Sequence, residues 1–228
     1  MAENAREEAA AGQAACRRCG ACCLSGGPAL HAADLPLLDR GAIPREHLIT
    51  VRRGELADNP VAGRVQATRV ELVKIAGSGR EWRCFYYDEE GKGCRIYGQR
   101  PLACEELKCW DTAAILALVE KDVLSRLDIV GADEPLRPLI VAHEDQCPVP
   151  DLQRLAARLR EIDPAEREAL QQLVARDLAF RDRVVRQLGL TLGLELFAFG
   201  RPIFQLLAPL GIRAAMTAAG PVLQWPEK

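Results

Sequence analysis

Four cysteines fall within eight residues, in the order Cys16-x2-Cys19-x2-Cys22-Cys23, and neighbouring side chains on one short stretch cannot all point into a single apolar core. Gaps of two residues let successive thiolates in a tight loop turn toward one metal or one cluster. If the segment is helical instead, Cys16, Cys19 and Cys23 share a face and Cys22 is displaced, so at least three still converge. Gly20, Gly26, Gly27 and Pro28 follow closely and favour loops and sharp turns. The segment therefore reads as a ligand loop.

Nine cysteines in a chain of 228 residues call for a chemical reason, because a chain this long buries a core without disulfides. The N-terminal residues are polar and acidic where a secretory signal has a positive start and an apolar stretch. A cytoplasmic protein is expected, and there clustered cysteines hold metals or perform redox chemistry more often than they form bridges. The longest apolar run, residues 190–200, is broken by Glu195 and is about half the ~20 residues of a membrane-crossing helix. Thirty basic and 32 acidic residues, a formal net charge of -2, leave no basic footprint for nucleic acid.

A second cysteine group, Cys84-x9-Cys94-x9-Cys104-x4-Cys109, is looser. If 101–109 is a regular helix, Cys104 and Cys109 lie ~140° apart, which ranks Cys109 below the others. Eight thiols in two groups fit one cluster with spares, one cluster plus a zinc, or two four-thiolate sites. Cys147, alone before Pro148, reads equally well as a buried free thiol. His31, His47 and His143 lack metal-type spacing to any cysteine and read as hydrogen-bonded or surface residues. No phosphate loop, serine nucleophile elbow or His-Glu-x-x-His motif occurs. The acidic groups 88–90 and 105–106 read as a turn and a helix face.

The organisation expected is a leader over 1–15, a cysteine-cluster metal-binding domain over 16–149, a helical region over 150–208 and a tail over 209–228. A short helix is expected near 33–40. Residues 69–75 and 81–87 flank a Gly77-Ser78-Gly79 turn as a β-hairpin, and a second turn at 88–93 brings Cys84 and Cys94 together across paired strands. Pro101 suits the start of a helix. Asp163, Pro164 and Glu166 form a helix-start signature, and Gly189 marks its end. The fold class is α+β: a small cysteine-rich metal-binding core with a β-hairpin and short helices, followed by a C-terminal helical region.

Cys16-x2-Cys19-x2-Cys22-Cys23, then Cys84, Cys94-Arg95-Ile96-Tyr97 and Arg100-Pro101-x2-Cys104, resemble the bacterial CxxCxxCC proteins, described as zinc- or iron-chelating. The resemblance covers roughly 16–110 and extends to Cys147-Pro148. It implies metal chelation through Cys16, Cys19, Cys22, Cys23, Cys84, Cys94, Cys104 and Cys109, without a reaction common to the family. A flagellin lysine methylase resembles the group in its cysteine motif and is associated with an iron–sulfur cluster. Beside such a site Tyr97 would cover the metal, Arg100 would offset thiolate charge by hydrogen bonding, and Pro101 would start the helix that aims Cys104.

The expected function is metal binding through clustered thiolates, as an iron–sulfur cluster (4Fe-4S) or iron, in an accessory or redox-related role. Zinc is the alternative metal, in a structural site of an interaction protein. The C-x2-C-x2-C spacing and the surplus of thiols favour iron, although Cys23 follows at once where a ferredoxin run has its fourth cysteine three residues on. A cluster-dependent enzyme of redox or methyl-transfer type is the other alternative. A thiol-disulfide protein using Cys16 and Cys19 would need a βαβ setting that the pattern lacks.

Overall fold

The computed structural model of the protein describes residues 15–79, 81–218 and 220–226; the leader expected over 1–15 lies, but for its last residue, outside them. The chain opens with helix α1 (Ala21–Leu24), a 3-10 turn (Ala32–Asp34) and α2 (Leu35–Asp39). Eight short strands follow: β1 (Leu48–Val51), β2 (Leu56–Asn59), β3 (Arg64–Ala67), β4 (Leu72–Ile75), β5 (Gly77–Ser78), β6 (Arg83–Cys84), β7 (Tyr87–Asp88) and β8 (Gly93–Cys94). The helices are α3 (Leu102–Glu106), α4 (Ala113–Ala117), α5 (Arg126–Ile129), α6 (Leu136–Gln146), α7 (Leu152–Ala157), α8 (Pro164–Leu188), α9 (Leu192–Phe199) and α10 (Ile203–Leu207). Strands β9 (Arg213–Thr217) and β10 (Gly220–Gln224) close the chain.

All strand pairing among the described residues is antiparallel and two-stranded: β1 with β4, β2 with β3, β5 with β6, β7 with β8, and β9 with β10. The α+β class expected from sequence is the one observed, including the helical C-terminal region. The hairpin expected from 69–75 and 81–87 is reduced to β5 and β6, two residues each. Residues 72–75 pair instead with β1 in the register Leu48 to Ile75 and Val51 to Leu72. All four residues of β1 are buried, so a longer apolar partner outcompetes the nearer segment. Residues 209–228, expected as a tail, contain β9 and β10. Leu223 of β10 is buried, its amide donates to Gln171 Oε1 of α8, and Arg167 stacks on Trp225.

Helix α8 starts and ends where the sequence says. Asp163 accepts a hydrogen bond from the Glu166 amide at 2.8 Å, Pro164 occupies the first turn, and Gly189 takes the left-handed conformation at φ 63° that terminates it. The apolar run of 190–200 becomes α9, whose Phe197, Ala198 and Phe199 are fully buried. A Cβ at Gly193 would collide with the Glu46 carbonyl, so glycine lets α9 lie against the turn that feeds β1. Thr50 of β1 donates to the Phe197 carbonyl at 2.6 Å. One hydrophobic core results, reaching from Leu30 through Phe197 to Leu223.

Three buried arginines thread this core. Arg52 spans both Glu144 oxygens at 2.9 and 3.0 Å and also donates to the Cys147 carbonyl. Arg126 joins Glu71, Glu144 and the Ala198 carbonyl. Arg181 joins Asp177 at 2.9 Å and three carbonyls near Gly200. Burial opposes ionisation of Asp177, yet hydrogen bonding from His143 and the charge of Arg181 hold its pKa below the ordinary carboxylate value. Asp177→Ala leaves Arg181 buried without its counter-ion, and a loss of about 3–5 kcal/mol in chemical denaturation is expected. Because the folded pKa is depressed, the wild-type advantage is full above about pH 4 and shrinks as pH falls through the folded value. An equal loss at pH 7 and at low pH would contradict that role for the carboxylate.

Candidate metal centre

Cys22 and Cys23 ride on α1, the first cysteine exposed and the second half-buried. Gly20 makes this placement possible: it is buried, adopts φ 76°, and has no room for a Cβ under the Tyr87 ring. Helix α1 packs on β6, which delivers the buried Cys84. Cys94 sits on β8 opposite Tyr87. Cys104 comes from α3, and Asp34 fixes the start of that helix, its Oδ1 accepting from the Leu102 amide at 2.8 Å while Oδ2 accepts from the His31 amide at 2.8 Å.

These five thiols form one group. Cys23 is hydrogen-bonded to Cys22 and to Cys94, and the charges of Cys22, Cys84 and Cys94 are felt at Cys104. Three thiolates so close cannot all ionise alone, so the middle one, Cys23, keeps its proton well above the ordinary range. Its hydrogen bonds hold Cys22 and Cys94 down at about 6, with the Arg100 guanidinium contributing to both. Burial pushes Cys84 up and Cys104 up to about 12. Cys84 and Cys94 are neighbours through this group rather than across one strand pair, because β6 pairs with β5 and β8 with β7.

The remaining candidate cysteines stand apart. Cys16 and Cys19 lie exposed on the loop before α1, where the Arg18 amide donates to Cys16 Sγ at 3.4 Å. That loop is pinned by side-chain stacking: the Arg18 guanidinium lies 4.1 Å and that of Arg100 3.9 Å from the Tyr97 ring centre. Tyr97 and Arg100 thus act as an anchor for the ligand loop. Cys109 is exposed beyond α3. Cys147 is fully buried in the other part of the core, its thiol pushed up to about 11 by burial and by Asp177.

His143, Cys147 and Asp177 bring one ligand-type atom each within 4.8 Å of one another. Both Asp177 oxygens are already spent, Oδ1 on His143 Nε2 at 2.7 Å and on Arg181, Oδ2 on the Ile203 amide at 2.9 Å. With Arg52 and Arg181 adding positive charge, the trio is a packed polar network rather than a cation site. His47 hydrogen-bonds the Tyr86 hydroxyl at 2.7 Å, and His31 is buried with its Nδ1 on the Lys121 carbonyl at 2.9 Å.

A cavity of about 620 Å3 opens beside the thiols. Cys22, Cys23, Cys84 and Cys104 contribute to one wall, Leu72 and Lys74 to a second, and α4 with the segment after it to a third. Lys74 and His31 carry no motif that would single them out in the sequence. The available signal for Lys74 is strand alternation, which sets it with Leu72 on the face opposite buried Val73 and Ile75.

The donor set is soft and sulfur-only, which suits zinc, iron or an iron–sulfur cluster. Arg100 Nε, beside Cys22 and Cys94, is buried and has no hydrogen-bond acceptor among the described residues, a donor that a metal-bound sulfur would satisfy. Fold and thiols together give a cysteine-rich α+β protein. Residues 15–122 match the CxxCxxCC family model, described as "Putative zinc- or iron-chelating domain", in agreement with the resemblance read from the cysteine spacing. The match ends before α5, leaving the C-terminal helices outside it. No curated protein and no solved structure matches the chain.

In reduced, metal-free protein, alkylation of Cys22 and Cys94 is expected to titrate near pH 6 while Cys104 stays unreactive at pH 8. Arg100→Leu is expected to move the first two upward, because the positive charge favouring their thiolates is gone. Peptide mass mapping after short iodoacetamide pulses reads both; an unchanged profile in the variant would remove Arg100 from the group.

Proposed function

We propose that the protein carries an iron–sulfur cluster on four thiolates drawn from Cys22, Cys23, Cys84, Cys94 and Cys104, with Cys16 and Cys19 on the stacked loop as the reserve ligands that could close over it. The observation that carries this reading is the convergence of five thiols from α1, β6, β8 and α3 around a buried, unpaired Arg100 donor. Four of these thiols complete a zinc site or a cluster alike, but a cluster supplies inorganic sulfur as well as thiolates for Arg100 to meet. Zinc on four of the same thiols is the second reading, zinc being named beside iron in the family description. When bound, a cluster supplies one-electron chemistry; the chain's own contribution is to hold the thiolates, lower their charge cost through Arg100, and shield the centre behind Tyr97.

Residues 16–149 would do this work in the cytoplasm, and the helices over 150–208 would brace it. No described helix is long and apolar enough to cross a membrane. The nearby cavity keeps an enzymatic role, of redox or methyl-transfer type, in view.

Protein purified without oxygen is expected to be brown, with iron and acid-labile sulfide in equal amounts. Cys94→Ser is expected to lose most of both, and Cys147→Ser to keep them. Zinc without sulfide would establish the second reading, and full metal content in Cys94→Ser would sink the ligand assignment.

A further inference from the structure

We infer that the cavity beside the thiols binds a small organic carboxylate with an apolar body, its head group paired with Lys74. Lys74 belongs to β4, and strand alternation sends it with Leu72 toward the cavity while Val73 and Ile75 enter the core. Among the described residues its ammonium has no carboxylate partner. Of the acids at the cavity, Glu120 is taken by Arg69 at 2.7 Å and Asp58 stands on the exposed rim. Arg201, whose charge reaches Lys74, is held by Glu55 at 2.7 Å. Cys84 is the group whose negative charge favours the Lys74 ammonium; with no carboxylate partner on a largely apolar cavity wall, that ammonium is a receptor for an anion.

The neighbouring polar atoms favour one head group over others. Asn59 Oδ1 accepts from the Val61 and Ala62 amides, both at 3.0 Å, which orients the amide and leaves its Nδ2 free to donate. The Nδ1 of His31 is taken by the Lys121 carbonyl, which leaves Nε2 as the ring nitrogen available to a ligand. One ammonium and one amide donor balance a single negative charge. No arginine fork lines the cavity, as recognition of a phosphate would favour. Ile115, Leu116 and Val119 form an apolar wall facing this polar edge, and burying a chain or ring there supplies the remaining affinity. The cavity shares a wall with the thiols, but Lys74 and Asn59 form its head-group site without them, so the inference goes beyond the metal reading and does not depend on it.

The test is titration calorimetry of the full chain, after its metal content is measured, with octanoate, octan-1-ol and octylamine as probes. Octanoate is expected to bind and octylamine to fail. Lys74→Met is expected to weaken octanoate at least ~10-fold and to leave octan-1-ol unchanged. Ile115→Trp, which fills the cavity from α4, is expected to abolish both without altering metal content or the unfolding temperature. Full metal with no octanoate binding, or with equal binding in Lys74→Met, overturns the carboxylate site and spares the metal reading. Absence of metal with Lys74-dependent octanoate binding supports the cavity and removes the metal reading, and absence of both overturns the two together.

Discussion

Everything else in this fold leans on guanidinium groups buried where water cannot reach them. Arg52 and Arg126 share Glu144 of α6, Arg126 also holds Glu71 just before β4, and Arg181 clamps Asp177 and the chain around Gly200. Charges in such a place are costly unless every partner is in position, so the network enforces one arrangement of β1, β4, α6, α8 and α9. It also joins the matched region to the helices beyond it: Arg52 reaches Glu144 and the Cys147 carbonyl, and Glu71 holds Arg126 of α5, which reaches the Ala198 carbonyl. The C-terminal helices are therefore part of the frame that holds β4, and through β4 one wall of the cavity.

That rigidity matters because the thiols come from segments with little regular structure. Helix α1 is four residues long, and β6 and β8 are two each. Such elements do not fix side chains by themselves. Asp34 ties the start of α3 to the 3-10 turn, Gly20 allows α1 to tuck under Tyr87, and Arg18 with Arg100 grips Tyr97. Of these contacts, the arginines bring positive charge beside thiols that become anions. Arg100 appears in both roles, as a stacking partner of Tyr97 and as the charge that favours thiolates at Cys22 and Cys94.

Cysteine spacing pointed to a thiol group, of which Cys22, Cys23, Cys84, Cys94 and Cys104 come together while Cys16, Cys19 and Cys109 stand apart, and caps made α8 legible to the residue. Strand pairing was harder. The partner of 72–75 is 48–51, and nothing local in either segment announces a pairing over such a separation, whereas the Gly77–Gly79 turn announces a hairpin that amounts to two residues a side. The hairpin at β9 and β10 was missed for a related reason: it is held by Gln171 and Arg167 of α8, contacts that exist only after folding. Lys74 and Asp34 carry no motif at all. One is ordinary as a strand lysine and the other as a helix-start aspartate; only burial and the loss of competing partners give them roles.

The chemistry available to the site follows from its surroundings. The thiolates of Cys22 and Cys94, held low by hydrogen bonds and Arg100, are good soft ligands, and a largely apolar cavity opens against the same wall. X-ray absorption at the iron edge on anaerobically purified full-length protein tests the central claim most directly. A first shell of sulfur alone, with iron–iron scattering behind it, is the expected result. An oxygen and nitrogen shell, or iron absent from protein that is folded and reduced, would contradict it.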